Sequence, residues 1–104
     1  FYIRLKSCEP FAFAGLWEIW GPDNLETFTI ITTEANDLVA QIHDRMPVML
    51  HEKDEGTWLD PDLQAPVKLK TLLKPYPADL MEMYEVSTAV NSSKNDEHTF
   101  ILPL

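Results

Sequence analysis

The residue pattern predicts an α+β fold dominated by antiparallel strands. Three observations carry this reading. Apolar and polar residues alternate through the first twenty positions, a β-branched run fills residues 27–33, and short helical signals framed by prolines occupy the middle of the chain.

The elements follow in order. Residues 1–6 alternate like a strand, and the turn-like Ser7-Cys8-Glu9-Pro10 suggests a hairpin into residues 11–20. A period of two over that second run puts Phe11, Phe13, Trp17 and Ile19 on one face. Ala12, Ala14, Leu16, Glu18 and Trp20 fall on the other. Gly21-Pro22-Asp23-Asn24 is a turn, and residues 27–33 make a third strand. Asn36 can cap a short helix with Leu38, Val39 and Ile42 on one side, running into the bend His43-Asp44-Arg45-Met46-Pro47. Residues 48–50 read as a short buried strand and residues 52–59 as a helix stopped before Pro61. Pro66 suits the first turn of a helix through Leu73. Residues 81–86 alternate like a half-exposed strand, and residues 90–96 are polar and loop-like before the apolar end at Phe100-Ile101-Leu102.

At 104 residues the chain is one small domain or a piece of one. No apolar run is long enough to span a membrane and no secretory leader is visible, so the expected setting is the cytoplasm or the nucleus. The lone Cys8 excludes an internal disulfide, and His43, His51 and His98 show no zinc spacing, so neither a metal nor another cofactor is expected. Eight Lys and Arg face seventeen Asp and Glu, a net charge of −9. The acidity is concentrated in residues 21–65, where ten acids meet only Arg45 and Lys53. Taken alone, this balance argues against binding a phosphate backbone, although acids in loops and first helical turns are accounted for by solvation and the helix dipole.

Two positions carry candidate chemistry. Glu18 shares its strand face with Ala14, Leu16 and Trp20, and a dehydrated carboxyl favours its neutral form, which suits proton transfer. An edge position or an arginine partner accounts for it equally well. His43 stands with Asp44 and Arg45 at a proline-fixed bend: an imidazole for proton transfer, a carboxylate to orient it, and a planar fork suited to phosphate oxygens. An exposed charged turn is the plain alternative. Cys8 has Glu9 beside it, which opposes thiolate formation. Met81, Met83, Trp17, Trp20 and Trp58 read as core, Asn91 and Asn95 as turn residues, and His51 and His98 as surface.

Several strings together resemble the SRAP (SOS response-associated peptidase) family. They are Phe11-Ala12-Phe13-Ala14-Gly15-Leu16-Trp17-Glu18, residues 27–35 as Thr-Phe-Thr-Ile-Ile-Thr-Thr-Glu-Ala, Ile42-His43-Asp44-Arg45-Met46-Pro47, Leu72-Leu73-Lys74-Pro75-Tyr76-Pro77, and Val86-Ser87 through Val90-Asn91. The resemblance implies a strongly bent, barrel-like sheet and covalent capture of abasic sites in single-stranded DNA. It implies a nucleophile at an amino-terminal cysteine, which forms a thiazolidine with the ring-opened sugar. By the same resemblance Glu18 handles protons in imine formation, His43 assists sugar ring opening and reversal, Arg45 contacts DNA phosphate and Thr32 lies near the sugar.

Cys8 does not match the family nucleophile. The expectation is therefore that residues 1–104 are the C-terminal portion of a single SRAP-like domain, inactive alone. Its partner through the whole protein would be single-stranded DNA with abasic sites, and exposed strand edges would favour pairing between copies. Expected localisation is nucleoid-associated in a prokaryote or nuclear in a eukaryote. Two other readings stand beside this one: a non-catalytic interaction or scaffold module that kept the fold, and a peptidase, as the family name implies.

Overall fold

The computed structural model describes residues 1–63 and 65–104. The alternating opening forms β1 (Tyr2–Leu5), but its partner is not the aromatic run that follows. It pairs antiparallel with β8 (Met81–Tyr84), placing Tyr2 against Tyr84 and Leu5 against Met81. This corrects the expected local hairpin. The Cys8 N–H donates to the Leu5 carbonyl at 2.9 Å and Cys8 takes φ 62°, so a tight left-handed turn ends the strand there. On the β1–β8 pair, Arg4 Nε donates to Glu82 Oε1 at 2.7 Å and the guanidinium lies 5.3 Å from the Tyr84 ring centroid.

The remaining strands come in broken lengths. The aromatic run is interrupted at Ala14 into β2 (Ala12–Phe13) and β3 (Gly15–Trp20). The β-branched run is interrupted at Ile31 into β4 (Leu25–Ile30) and β5 (Thr32–Glu34). A third stretch is interrupted at Val48 into β6 (Arg45–Pro47) and β7 (Met49–Leu50). β2 pairs with β7, β3 with β4, and β5 with β6, all antiparallel.

The interrupting residues bond to one another in a ring. The Ala14 N–H donates to the Val48 carbonyl at 2.8 Å, the Val48 N–H to the Ile31 carbonyl at 2.8 Å, and the Ile31 N–H to the Ala14 carbonyl at 3.0 Å. Ala14 and Val48 are 0% exposed, so these backbone groups have no access to water and the ring satisfies them. Each strand hands its hydrogen bonds from one partner to the next at this junction. The ladders do not close into a barrel among the described residues, because β3–β4 stands as a two-stranded ladder with no third strand beside it.

Asn36 Oδ1 accepts from the Val39 N–H at 2.9 Å, but the expected helix is only a 3-10 turn (Val39–Gln41) whose N-cap is Leu38. Asn36 Nδ2 also donates to the Tyr76 carbonyl at 2.8 Å, tying that turn to the segment ahead of β8. Helix α1 (Glu52–Leu59) matches the reading to the residue, while α2 (Pro66–Lys70) stops short of Leu73. One core cluster gathers Leu5, Val39, Met46, Met49, Tyr76 and Met81; a second gathers Ala14, Val48 and Leu50, with Trp58 and Leu72 packed on it. Trp58 Nε1 donates to the Gly15 carbonyl at 3.2 Å. His51 is half-buried rather than surface and stacks on Tyr76 with ring centroids 4.6 Å apart.

The β3–β4 hairpin departs most from expectation. Trp17 and Trp20, read as core, are 69% and 65% exposed, and Phe28 is 79% exposed. The Cα radius of gyration, 16.4 Å, exceeds the roughly 13 Å of a compact chain of this length. The apolar hairpin is therefore uncovered by anything in the described residues. No helix among them is long and apolar enough to cross a membrane.

Candidate functional site

The bend at His43 is built by the 3-10 turn before it and the ladder after it. The Ile42 and His43 N–H groups both donate to the Val39 carbonyl at 2.9 Å, and the Ala35 N–H donates to the Asp44 carbonyl at 3.1 Å, closing the loop onto β5. Arg45 then begins β6 opposite Glu34, a strand that the charged residues and Pro47 disguise as a bend in the sequence.

This geometry brings Thr32, His43 and Arg45 together. Arg45 Nη2 donates to the Thr32 carbonyl at 2.8 Å and lies 3.1 Å from its hydroxyl. The fork is thus held by one nitrogen, and its remaining donors stay available for an anion. His43 Nδ1 lies 3.0 Å from the Arg45 N–H, so the ring is anchored to the backbone of its own bend. The Arg45 carbonyl at 3.1 Å and Asp44 Oδ1 at 3.2 Å also face Nδ1. An imidazole oriented in this way has the chemistry to pass a proton. Beside it lies an apolar hollow of about 310 Å³ walled by Ile3, Phe11, Phe13, Met46 and Met81.

Glu18 is placed elsewhere. It sits in mid-hairpin opposite Thr27, whose hydroxyl donates to the Glu18 carbonyl at 3.4 Å, in a separate hollow with Leu16, Trp17, Phe28 and Thr29. Glu18 is exposed, so the dehydration read from its strand neighbours is absent here: the hairpin that carries it has no cover. Cys8 is exposed in its turn, with its backbone nitrogen engaged in the peptide chain. The Asn36–Tyr76 and Arg45–Thr32 contacts were the features that residue types alone did not show, since each joins segments apart in sequence.

Among known proteins, residues 1–93 match the model of the family described as SOS response associated peptidase (SRAP). The chain is 52% identical over 102 residues to the abasic site processing protein YoqW of Bacillus subtilis, a match covering 95% of this chain and 46% of that protein. It is 38% identical over 98 residues to the abasic site processing protein HMCES of Gallus gallus, covering 88% of this chain and 28% of that one. A crystal structure of a protein from Bacteroides thetaiotaomicron superposes with a TM-score of 0.84 at 33% identity, over 99% of this chain and 47% of that one. The chain thus spans about half the length, or less, of the relatives it matches, and it belongs to the SRAP family.

Proposed function

We propose that these residues are the C-terminal portion of an SRAP unit that binds single-stranded DNA and captures abasic sites covalently. The observation that carries this reading is the Thr32–Arg45–His43 cluster, which sets anion donors beside an imidazole ready for proton transfer. The names of the relatives, abasic site processing proteins, support the substrate. Glu18 and His43 line separate hollows, so this reading requires the uncovered hairpin to bring Glu18 to the same sugar that His43 meets.

In this mechanism Arg45 holds a phosphate oxygen and Thr32 fixes the guanidinium and borders the sugar. His43 passes a proton as the closed sugar opens to its aldehyde. The α-amine of an amino-terminal cysteine adds to the aldehyde carbon to give a carbinolamine, and Glu18 protonates the departing hydroxyl, which leaves as water. The cysteine sulfur then adds to the imine carbon and its proton passes to nitrogen, closing a thiazolidine with no further reagent. Cys8 cannot supply this nucleophile, since its nitrogen is an amide donating to Leu5. The nucleophile comes from polypeptide beyond these residues, and the isolated chain is inactive.

An acidic chain needs that further polypeptide for its cations as well, because binding DNA releases counterions only where Lys and Arg meet phosphate. Such a protein acts with the nucleoid in a prokaryote or in the nucleus of a eukaryote. The test is incubation of single-stranded DNA bearing one abasic site with YoqW in which the matching segment is exchanged for residues 1–104. A species that survives denaturing electrophoresis is expected; its absence, where unmodified YoqW forms one, contradicts the reading.

A further inference from the structure

The connection from β1 to β2 and the first turn of α1 meet around a hollow of about 490 Å³. That size lies within the range of small-molecule sites, roughly 300 to 1,000 Å³. Leu5, Phe11 and Tyr76 supply apolar wall, and Glu9, Glu52 and Glu55 stand around it. Glu9 is set by its turn, in which Cys8 takes φ 62° and the Glu9 N–H lies 3.3 Å from Ser7 Oγ. None of the three carboxylates forms an ion pair among the described residues. The positive end of α1 accounts for Glu52 and Glu55 in its first turn, but Glu9 belongs to a different segment. Three like charges around one hollow repel one another, and about half a positive charge from a helix end does not offset them.

Tyr76 calls for a ligand independently of charge. It is 9% exposed and its ring stacks on His51. Its carbonyl accepts from Asn36 Nδ2, but its hydroxyl has no hydrogen-bond partner among the described residues, and an unpaired phenol this deeply placed is costly. No side-chain oxygen there is both unpaired and shut off from solvent, so the hydroxyl opens onto a hollow. The other hollow that Tyr76 borders is about 20 Å³, room for one water, so only the larger one can offer the hydroxyl a ligand.

The layout selects the chemistry. Among the described residues no group of His, Cys, Asp and Glu is placed to hold a metal ion, so a single point charge does not satisfy these carboxylates together. Ammonium groups separated by a hydrocarbon chain do: each meets an acid, the methylenes lie on Leu5 and Phe11, and the rings of Phe11 and Tyr76 attract cations. We propose that this hollow is a binding site for a linear aliphatic oligoamine, held between Glu9 and the Glu52–Glu55 pair with the Tyr76 hydroxyl accepting from an ammonium. The site is distinct from the Thr32–Arg45–His43 cluster and holds whether or not abasic DNA is the substrate.

The test titrates spermidine into YoqW carrying residues 1–104 in place of its own segment, by isothermal calorimetry without DNA at fixed ionic strength. One molecule per chain is expected. Glu9→Gln combined with Glu55→Gln should weaken binding at least tenfold. Tyr76→Phe keeps the ring and removes the hydroxyl, and should weaken it about threefold to tenfold. Asp23→Asn combined with Glu26→Gln removes the same charge outside the hollow and should leave affinity unchanged. Urea midpoints equal to the parent separate lost binding from lost folding, and Glu9→Gln alone, in an exposed turn, should still weaken binding about threefold if the pair destabilises the chain. Absence of binding, equal loss from the Asp23–Glu26 pair, or displacement of spermidine by magnesium at equal charge concentration overturns the proposal. Tighter binding of a lysine-rich peptide with the same sensitivity to Glu9 and Glu55 also overturns it, assigning the hollow to a basic polypeptide.

Discussion

Arg45 and Thr32 are joined through a single guanidinium nitrogen, which donates to the Thr32 carbonyl at 2.8 Å and lies 3.1 Å from its hydroxyl. The contact fixes the fork without consuming it. It links β6 to β5, two strands whose residues are thirteen positions apart at this point, and it stands beside the histidine that Arg45 also anchors through its N–H.

Arg45→Ala in the YoqW exchange should therefore weaken DNA binding at every sequence and lower the slope of log K against log salt by about one, the signature of one lost phosphate contact. Arg45→Lys should restore part of the slope but not the orientation, because an ammonium lacks the fork. Fluorescence anisotropy over a salt series measures both; an unchanged slope for Arg45→Ala removes Arg45 from the phosphate contacts.

Glu18 and His43 should separate kinetically. Glu18→Gln keeps the shape and removes the acid, so adduct formation should slow by about a hundredfold, the range ascribed to general acid–base catalysis. His43→Ala should slow formation and also leave adducts that reverse more slowly. Denaturing gels over time, followed by a chase with excess unlabelled abasic DNA, read the two rates; a Glu18→Gln rate equal to the parent excludes Glu18 from the chemistry.

The backbone ring at Ala14, Ile31 and Val48 should be sensitive to side-chain volume. Val48 is 0% exposed, and Val48→Ala should lower stability by about 1 to 2 kcal/mol through lost burial and a residual cavity. Ala14→Leu should cost about 1 to 3 kcal/mol by overpacking. Urea midpoints by circular dichroism report both, and a Val48→Ala midpoint matching the parent would show that the junction tolerates a void.

Asn36 joins the turn ahead of His43 to the segment before β8, through Val39 and Tyr76. Asn36→Ala should destabilise by about 2 kcal/mol, from a lost cap and an unpaired carbonyl. Asn36→Ser should recover part of this, since a hydroxyl can cap but cannot reach Tyr76 as well. Equal midpoints for the two variants would assign the whole effect to the Tyr76 bond.

Arg4 should contribute no pH dependence near neutrality. The hydrogen bond that Arg4 donates to Glu82 holds Arg4 above its ordinary arginine range, so its stabilisation is complete below that range and is lost only as strongly alkaline pH is reached. Glu82→Gln should leave the shape of the stability profile around neutral pH unchanged; a new transition there would show that the pair is coupled to another group.

What was legible in the sequence follows from how local each signal is. Helix α1 is bounded correctly because its acidic first turn and Pro61 are adjacent cues. The pairing of β1 with β8 was not legible, since alternation reveals a strand and not its partner about eighty residues away. β6 was hidden because Arg45 and Pro47 read as a bend, although Met46 between them is buried. Trp17 and Trp20 read as core because apolar residues usually are; in the structure their hairpin is a two-stranded ladder with nothing among the described residues packed over it. Among the site residues, the His43–Arg45 neighbourhood was visible as a cluster in the sequence. The capture of Thr32 by Arg45 required the fold, and so did the placement of Glu18 in a separate hollow.

The most direct measurement is the fraction of labelled single-stranded DNA with one abasic site that migrates as a protein-bound band on a denaturing gel, after incubation with YoqW carrying residues 1–104 in place of its own segment. A band that grows with time, is absent with intact DNA and is suppressed by Glu18→Gln is the expected result. A soluble, folded exchange protein that yields no such band while unmodified YoqW does would contradict the account.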